Sequence, residues 1–372
     1  MKILSVSNFF DTHGGGLERV AGHLCREFTK LGYEALWAAC DGDGLPESPA
    51  EIIALRCTNS IEKSTGLPIP LPGLRSLTRL WKAVRRSDLV VIHDALYLSS
   101  IAAMVMAKLA GKQTVLIQHI GSITFASTTL TVVMKIANTI VTKPMMRSAS
   151  RVVFISATVR EEFASVAAKR EPLLVFNGVD TNVFLSHRDG NNSGGPSQFG
   201  LPTAKPLAVF VGRLVEKKGL EIVRQLALIQ PGWSFAIVGR GPIDPTKWQA
   251  DNVFVLGQLS QTALARLYNA SDVLLLPSVG EGYPLVIQEA MACGLPTVTG
   301  DVASRADPDA TKWLTGVAID LSDPTGSARR CGAAIDRVRE CPPDRDEMSE
   351  YAKNTYSWQR MAREVASVTL SR

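Results

Sequence analysis

The 372-residue sequence contains no low-complexity tract and no Cys-x-x-Cys pair. The first absence argues against a disordered or fibrous chain, and the second against a structural zinc site of the usual spacing. Six cysteines (Cys25, Cys40, Cys57, Cys293, Cys331, Cys341) are scattered instead, which suits a reducing compartment and a cytoplasmic protein. Charge is also sparse: 20% of residues are charged, and 40 Lys and Arg against 35 Asp and Glu leave a formal +5. So mild a balance does not suggest a nucleic-acid groove and is compatible with anionic ligands or an anionic membrane surface. The opening Met1-Lys2-Ile3-Leu4-Ser5-Val6-Ser7 is too short an apolar run for a signal peptide and reads as a first strand. Its following glycines, Gly14-Gly15-Gly16, are consecutive, so the Gly-x-Gly-x-x-Gly fingerprint of dinucleotide binders is not met. Asp41-Gly42-Asp43 falls in a loop expected away from the ligand side, and no metal site or cofactor is expected.

What is present is 46% hydrophobic residues in a chain long enough for two domains, each with a core. Apolar runs of strand length alternate with helical periodicity, the pattern of a doubly wound α/β protein. Strands are expected at 2–7, 35–39, 51–55, 88–92, 114–118 and 151–156. A stretch rich in Gly, Asn, Ser and Pro at 187–206 reads as a linker, after which strands are expected at 207–211, 233–238, 252–256, 272–276 and 295–299. Between the last two lies the central stretch, Pro277 to Gly294. It reads as a Gly-bearing loop and then a helix over 284–293, with Pro284 at its first position and Gly294 ending it.

A helix that starts just past the C-terminal end of a parallel strand aims unpaired N–H groups at the crevice where such sheets bind ligands. Glu281 and Glu289 bracket this start. Carboxylates beside an anion site suit a phosphate ester that also carries sugar hydroxyls. The plainer alternative has Glu281 capping the helix and Glu289 solvated on its outer face.

The string Glu281-Gly282-Tyr283-Pro284-Leu285 through Glu289-Ala290-Met291-Ala292-Cys293-Gly294-Leu295-Pro296 closely resembles the signature of retaining glycosyltransferases of the GT-B fold with a Glu-x7-Glu motif, glycosyltransferase family 4-like. The resemblance extends to Arg213 and Lys218-Gly219, to Gly239-Arg240-Gly241, to Asn177-Gly178-Val179-Asp180, and to Gly15, Gly16, Glu18 and Arg19. It implies two Rossmann-like domains, 1–185 and 200–355, facing across a cleft, with a final helix in 356–372 returning to the first. It implies a nucleotide-sugar donor and a glycan or lipid-linked acceptor. By the same resemblance Glu281 holds the transferred sugar, Glu289 the ribose, and Gly282, Tyr283 and the backbone of Leu285 and Val286 the phosphates. Arg213 and Lys218 take the diphosphate, Gly15 and Gly16 face the donor, and His119 contacts its sugar. His93-Asp94 is read from its place at a strand's C-terminal end, independently of the resemblance, as a lesser candidate lining the cleft floor. Tyr283-Pro284 replaces the family's more frequent Phe-Gly, and 300–305 departs from its pattern. Alternatives are a GT-B relative that epimerises or hydrolyses a nucleotide sugar, or a binding protein without turnover.

The segment 123–150 is apolar and Thr-rich, with Lys135, Lys143 and Arg147 at regular spacing and Arg151 just beyond. It reads either as ordinary core helices with solvated cations or as a peripheral face on anionic lipid, anchored by Met134, Ile140 and Met146.

Overall fold

The computed structural model describes residues 1–58, 70–121, 128–166, 168–186 and 195–369. The expected 187–206 linker and the 123–150 segment therefore both begin outside the described residues. The chain forms two compact units. One holds Met1–Ser122, Thr128–Gly178 and Trp358–Arg372, and the other Val179–Ser357.

The N-terminal unit is built on β1 (Lys2–Phe9), β2 (Glu34–Cys40), β3 (Glu51–Leu55), a hairpin of β4 (Cys57–Thr58) and β5 (Leu71–Pro72), β6 (Leu89–His93), β7 (Gln113–Gln118), β8 (Arg151–Phe154) and β9 (Leu173–Leu174). Seven of these form one sheet in the order β3-β2-β1-β6-β7-β8-β9, every pair parallel. Covered on both faces, its inner strands are mostly apolar and buried, with all five residues of β6 inaccessible, His93 included. The helices Leu74–Arg86, Leu98–Leu109 and Lys143–Ser148 share one core with the sheet through Leu80, Met104 and Met146. The helix Gly16–Lys30 buries Val20, Leu24 and Phe28 at helical spacing. His23 of that helix stacks on Trp358 of the terminal helix Trp358–Ala366, ring centroids 4.5 Å apart.

The second unit has six strands among the described residues: β10 (Leu207–Val211), β11 (Ser234–Val238), β12 (Val253–Gly257), β13 (Val273–Leu276), β14 (Thr297–Gly300) and β15 (Leu314–Val317). Their order is β12-β11-β10-β13-β14-β15, again all parallel. Strand order therefore reverses between β1 and β6 in one unit and between β10 and β13 in the other. At such switch points neighbouring loops diverge and open a crevice at the carboxyl edge of the sheet.

Several expectations are corrected. Cys40 and Cys57 form a disulfide, with Cα atoms 5.9 Å apart, because the β2–β3 pairing sets Cys40 opposite Leu55, two residues before Cys57. Cys25, Cys293, Cys331 and Cys341 are free. Pro284 caps the helix Leu285–Ala292 instead of opening it, its ψ of 130° being extended. Helix 143–148 follows a π turn at Asn138–Thr142; Pro144 lacks an N–H and crowds the carbonyl four residues earlier, which widens the turn. Met146, expected as a lipid anchor, is 1% exposed and belongs to the core. Among the described residues no helix is long and apolar enough to cross a membrane.

Candidate functional site

In the second unit the loops after β10 and β13 flank the switch point, and the sequence-predicted residues of this unit gather there. After β10 the chain runs through Arg213 and a short 3-10 turn, Glu216–Lys218, and turns at Gly219 into the helix Leu220–Ile229. Gly219 has φ +73°, and a Cβ there would meet the Pro277 carbonyl oxygen at 2.1 Å, so only glycine lets the two loops close on each other. Gly239 has the same role toward the loop after β10: φ is +144° and a Cβ would lie 1.8 Å from the Gly212 carbonyl oxygen. The Val279 amide donates to the Lys217 carbonyl at 3.0 Å and fixes this approach.

The approach brings Lys218 Nζ to 2.7 Å from Glu281 Oε2, both side chains being nearly buried at 13% and 14% exposure. Lys217 Nζ stands 3.9 Å from the other carboxylate oxygen. Desolvation holds the Lys217 amine below its ordinary range, Glu281 opposes that shift, and the cations Lys218 and Arg213 reinforce it. Arg213 itself is exposed and has no acidic partner among the described residues. The site thus holds one carboxylate met by two lysines, with the Arg213 cation near enough to Lys217 to act on its amine.

Beside it the helix Leu285–Ala292 opens with the N–H groups of Leu285 and Val286, which have no acceptor within the helix. It closes at Gly294 with φ +69°, where the Leu295 amide reaches the Ala290 carbonyl at 2.9 Å and the Gly294 amide that of Met291 at 2.9 Å. Glu289 is 3% exposed, which removes the reading of a solvated outer-face residue. Gly282 is buried in the loop. The Tyr283 side chain turns into the core: its hydroxyl lies 2.8 Å from that of Tyr356, which donates to Asp307 Oδ2 at 2.7 Å, as Tyr351 does at 2.8 Å. Only the backbone of Tyr283 is left for a ligand. The divergent loop forms a short helix, Asp301–Ser304, after β14.

Sequence reasoning passed over Gln288, which is wholly buried with neither amide atom hydrogen-bonded among the described residues. A buried unpaired amide costs about 1–3 kcal/mol, so Gln288→Met is expected to raise unfolding stability by about that much, read by chemical denaturation. Its signal was a polar residue in an otherwise apolar helix face.

In the N-terminal unit the switch point carries a second cluster. His93 ends β6, Asp94 follows it, and His119 follows β7 next door. Ser5 Oγ lies 3.0 Å from His93 Nε2, and His93 Nδ1 lies 3.1 Å from His119 Nε2, all three residues being buried. Burial pushes His119 down to about 3 and His93 well below its ordinary value, so both rings are neutral near pH 7. With one Nε2 shared in the chain, His119 keeps Nδ1 for another contact. Asp94 adopts φ +61° and accepts from Gln118 Nε2, while its Oδ2 has no hydrogen-bond partner among the described residues. Burial pushes its carboxyl up to about 8, opposed by the Ala95 amide and reinforced by buried Glu18. Glu18 folds over Gly15, where a Cβ would fall 2.0 Å from Glu18 Oε2, whereas a Cβ on Gly16 would meet open space. Asp43, expected far from this side, lies 2.8 Å from His13 Nδ1, because the loops after β1 and β2 leave the same edge of the sheet.

A carboxyl that titrates higher in the folded than in the unfolded chain contributes stability that is full below the unfolded value, near 4, and lost as pH rises toward 8. Asp94→Asn keeps a residue that tolerates the left-handed backbone and removes that loss. Its melting temperature is expected to match the wild type near pH 4 and to exceed it increasingly up to pH 8; the histidines are common to both and cancel in the difference.

Comparison with known proteins fits this arrangement. The family described as Glycosyltransferase Family 4 matches residues 14–183, and Glycosyl transferases group 1 matches 196–355. A D-inositol 3-phosphate glycosyltransferase of Mycobacteroides abscessus is 33% identical over 141 residues, 35% of this chain and 31% of its own. A putative teichuronic acid biosynthesis glycosyltransferase of Bacillus subtilis, TuaC, is 33% identical over 169 residues, 43% of this chain and 41% of its own. These alignments therefore span 31% and 41% of the relatives' own lengths, less than half of each. The structure of Anabaena HepE in complex with UDP and glucose superposes with a TM-score of 0.66 over 100% of this chain and 97% of that one, at 18% identity or less, 17% here, and shows the shared fold. With both units matched, each over most of its length, the chain belongs to the family 4-like glycosyltransferases of the GT-B fold.

Proposed function

We propose that the protein is a retaining glycosyltransferase that moves a sugar from a nucleotide-diphosphate sugar to a glycan or lipid-linked acceptor in polysaccharide or glycolipid synthesis. The observation that carries this reading is the pairing of Lys217 and Lys218 with Glu281 ahead of the helix Leu285–Ala292, with Arg213 near enough to act on the Lys217 amine. Cations and free N–H groups suit a diphosphate, and a carboxylate among them suits sugar hydroxyls or a positively charged ring. Support also comes from HepE, a protein of the same fold solved with UDP and glucose.

In this reading Arg213 and Lys218 hold the diphosphate together with the Leu285 and Val286 amides, and Gly282 and the Tyr283 backbone let it approach. Glu289 takes the ribose. Gly15 and Gly16 admit the donor from the N-terminal unit. The bond between the anomeric carbon and the diphosphate breaks as the acceptor hydroxyl oxygen bonds to that carbon on the same face and gives its proton to the departing diphosphate, with Glu281 stabilising the charge that develops on the ring. His119, neutral and oriented by His93, offers Nδ1 to the sugar. The leaving charge is met by side chains and a helix terminus, so the reaction needs no metal.

A panel of nucleotide sugars, each incubated with and without a glycan or lipid-linked acceptor, tests this. Nucleotide diphosphate is expected to appear only when acceptor is present, at the same rate with EDTA, and the product linkage is expected to keep the donor's anomeric configuration by NMR coupling. Release without acceptor would favour hydrolysis or epimerisation, and loss of activity on chelation, restored by magnesium, would refute the metal-free site.

A further inference from the structure

The charge of the chain is unevenly placed. Residues 74–149 hold ten Lys or Arg against two Asp, a net +8, so the rest of the chain, against a total of +5, is net negative. Neither acid lies on a helix of this segment: Asp94 is buried, and Asp88 accepts from the Lys2 amide at 2.8 Å. The helices Leu74–Arg86, Leu98–Leu109 and Lys143–Ser148 bury their inner sides in one core on one face of the sheet, so their outer sides form a common surface. Arg75, Lys82 and Arg85 are exposed on the first helix and have no acidic partner among the described residues. The same holds for Lys135 and Arg147 farther along.

These cations are accompanied on the same helices by large apolar side chains that no described residue of the unit covers. Leu74 is 84% exposed, Leu109 76%, Ile140 67%, and Val132, Val133 and Ile136 about half. Ile136 and Ile140, four residues apart, continue on one side through the π turn. A nucleic acid would satisfy the cations and leave these side chains in water. A second copy of the same face would cover them and set unpaired cations against unpaired cations. An anionic bilayer accepts both, taking aliphatic side chains to the acyl boundary and cations to the headgroups.

We propose that this helical face of the N-terminal unit docks on a membrane rich in anionic phospholipid. The surface is broader than the 123–150 segment alone, because the helices 74–86 and 98–109 contribute to it, and its apolar anchors are Val132, Val133, Ile136 and Ile140 in place of Met146.

The test is co-sedimentation of the full chain with vesicles, without donor or acceptor, so that its outcome is independent of the proposed transfer reaction. The chain is expected to bind vesicles containing about one-third phosphatidylglycerol, to release them in high salt, and to leave pure phosphatidylcholine vesicles unbound. Replacing Lys135, Lys143 and Arg147 together with Gln should weaken binding by about tenfold or more, and Ile136→Asp with Ile140→Asp should abolish it. Replacing Arg266, Arg337 and Arg339 of the other unit with Gln removes the same charge and should leave binding intact. Circular dichroism and melting confirm that each variant is folded. Equal binding to both vesicle types, no binding to either, or equal weakening by the two charge variants would overturn the proposal. So would a dimer in sedimentation velocity that Ile136→Asp with Ile140→Asp dissolves while vesicle binding persists.

Discussion

Arg213→Ala is expected to weaken binding of the nucleotide diphosphate by about 1.5–3 kcal/mol, roughly ten- to a hundredfold, with no loss of folding stability. The exposed guanidinium has no acidic partner in the free protein, so its removal orphans nothing. What is lost is a charge-assisted contact that forms with the ligand. Lys218→Ala has the same expected direction and a different cost, because Lys218 already pairs with Glu281 at 2.7 Å in a site where both are nearly buried. Deleting it leaves that carboxylate without its closest cation, so this variant should lose stability along with affinity. Calorimetric titration with UDP and with other nucleoside diphosphates reads the first effect, and denaturation the second. Wild-type affinity in both variants would remove the diphosphate from this cluster.

The two variants also show what could be read from residues alone. The placement of Arg213, Lys218 and Glu281 was legible because each lies in a loop past a strand end that apolar periodicity locates, and the parallel sheet brings those ends to one edge; Glu289 lies within the helix that follows. The pairing of Lys218 with Glu281 was not legible. It depends on Gly219 lying against the Pro277 carbonyl, a close approach across the switch point between residues far apart in sequence. The same limit hid the Ser5–His93–His119 chain, whose members lie in, end and follow three different strands, and the Cys40–Cys57 disulfide, which needs the register of β2 on β3. Short elements were missed for another reason: β9 and the β4–β5 hairpin have two residues per strand, too few for alternation to register. Tyr283 was visible as a departure from Phe, but its reach into the Tyr356–Asp307 network required the fold of the helix Arg345–Thr355 beside it.

Glu281→Gln is expected to lower kcat by roughly a hundredfold or more while nucleotide diphosphate binds as tightly as to the wild type, or more tightly. The geometry supplies the reason for the split. In the free protein the Glu281 carboxylate offsets Lys218 and, at 3.9 Å, part of Lys217. A neutral amide releases both ammonium groups toward the diphosphate, so ground-state binding of the nucleotide has nothing to lose. The transition state differs, because the ring that separates from the diphosphate becomes positive, and a carboxylate beside it stabilises that charge only then. Gln keeps the size and one acceptor oxygen, which separates loss of charge from loss of shape. Glu289→Gln should show the reverse, a weaker nucleotide and a near-normal rate at saturation, since a buried acceptor that serves the ribose is used equally before and during transfer. Single-turnover kinetics with direct titration of the diphosphate distinguishes the two. If Glu281→Gln binds the diphosphate poorly and turns over normally once saturated, the carboxylate serves binding and another group meets the charge on the ring.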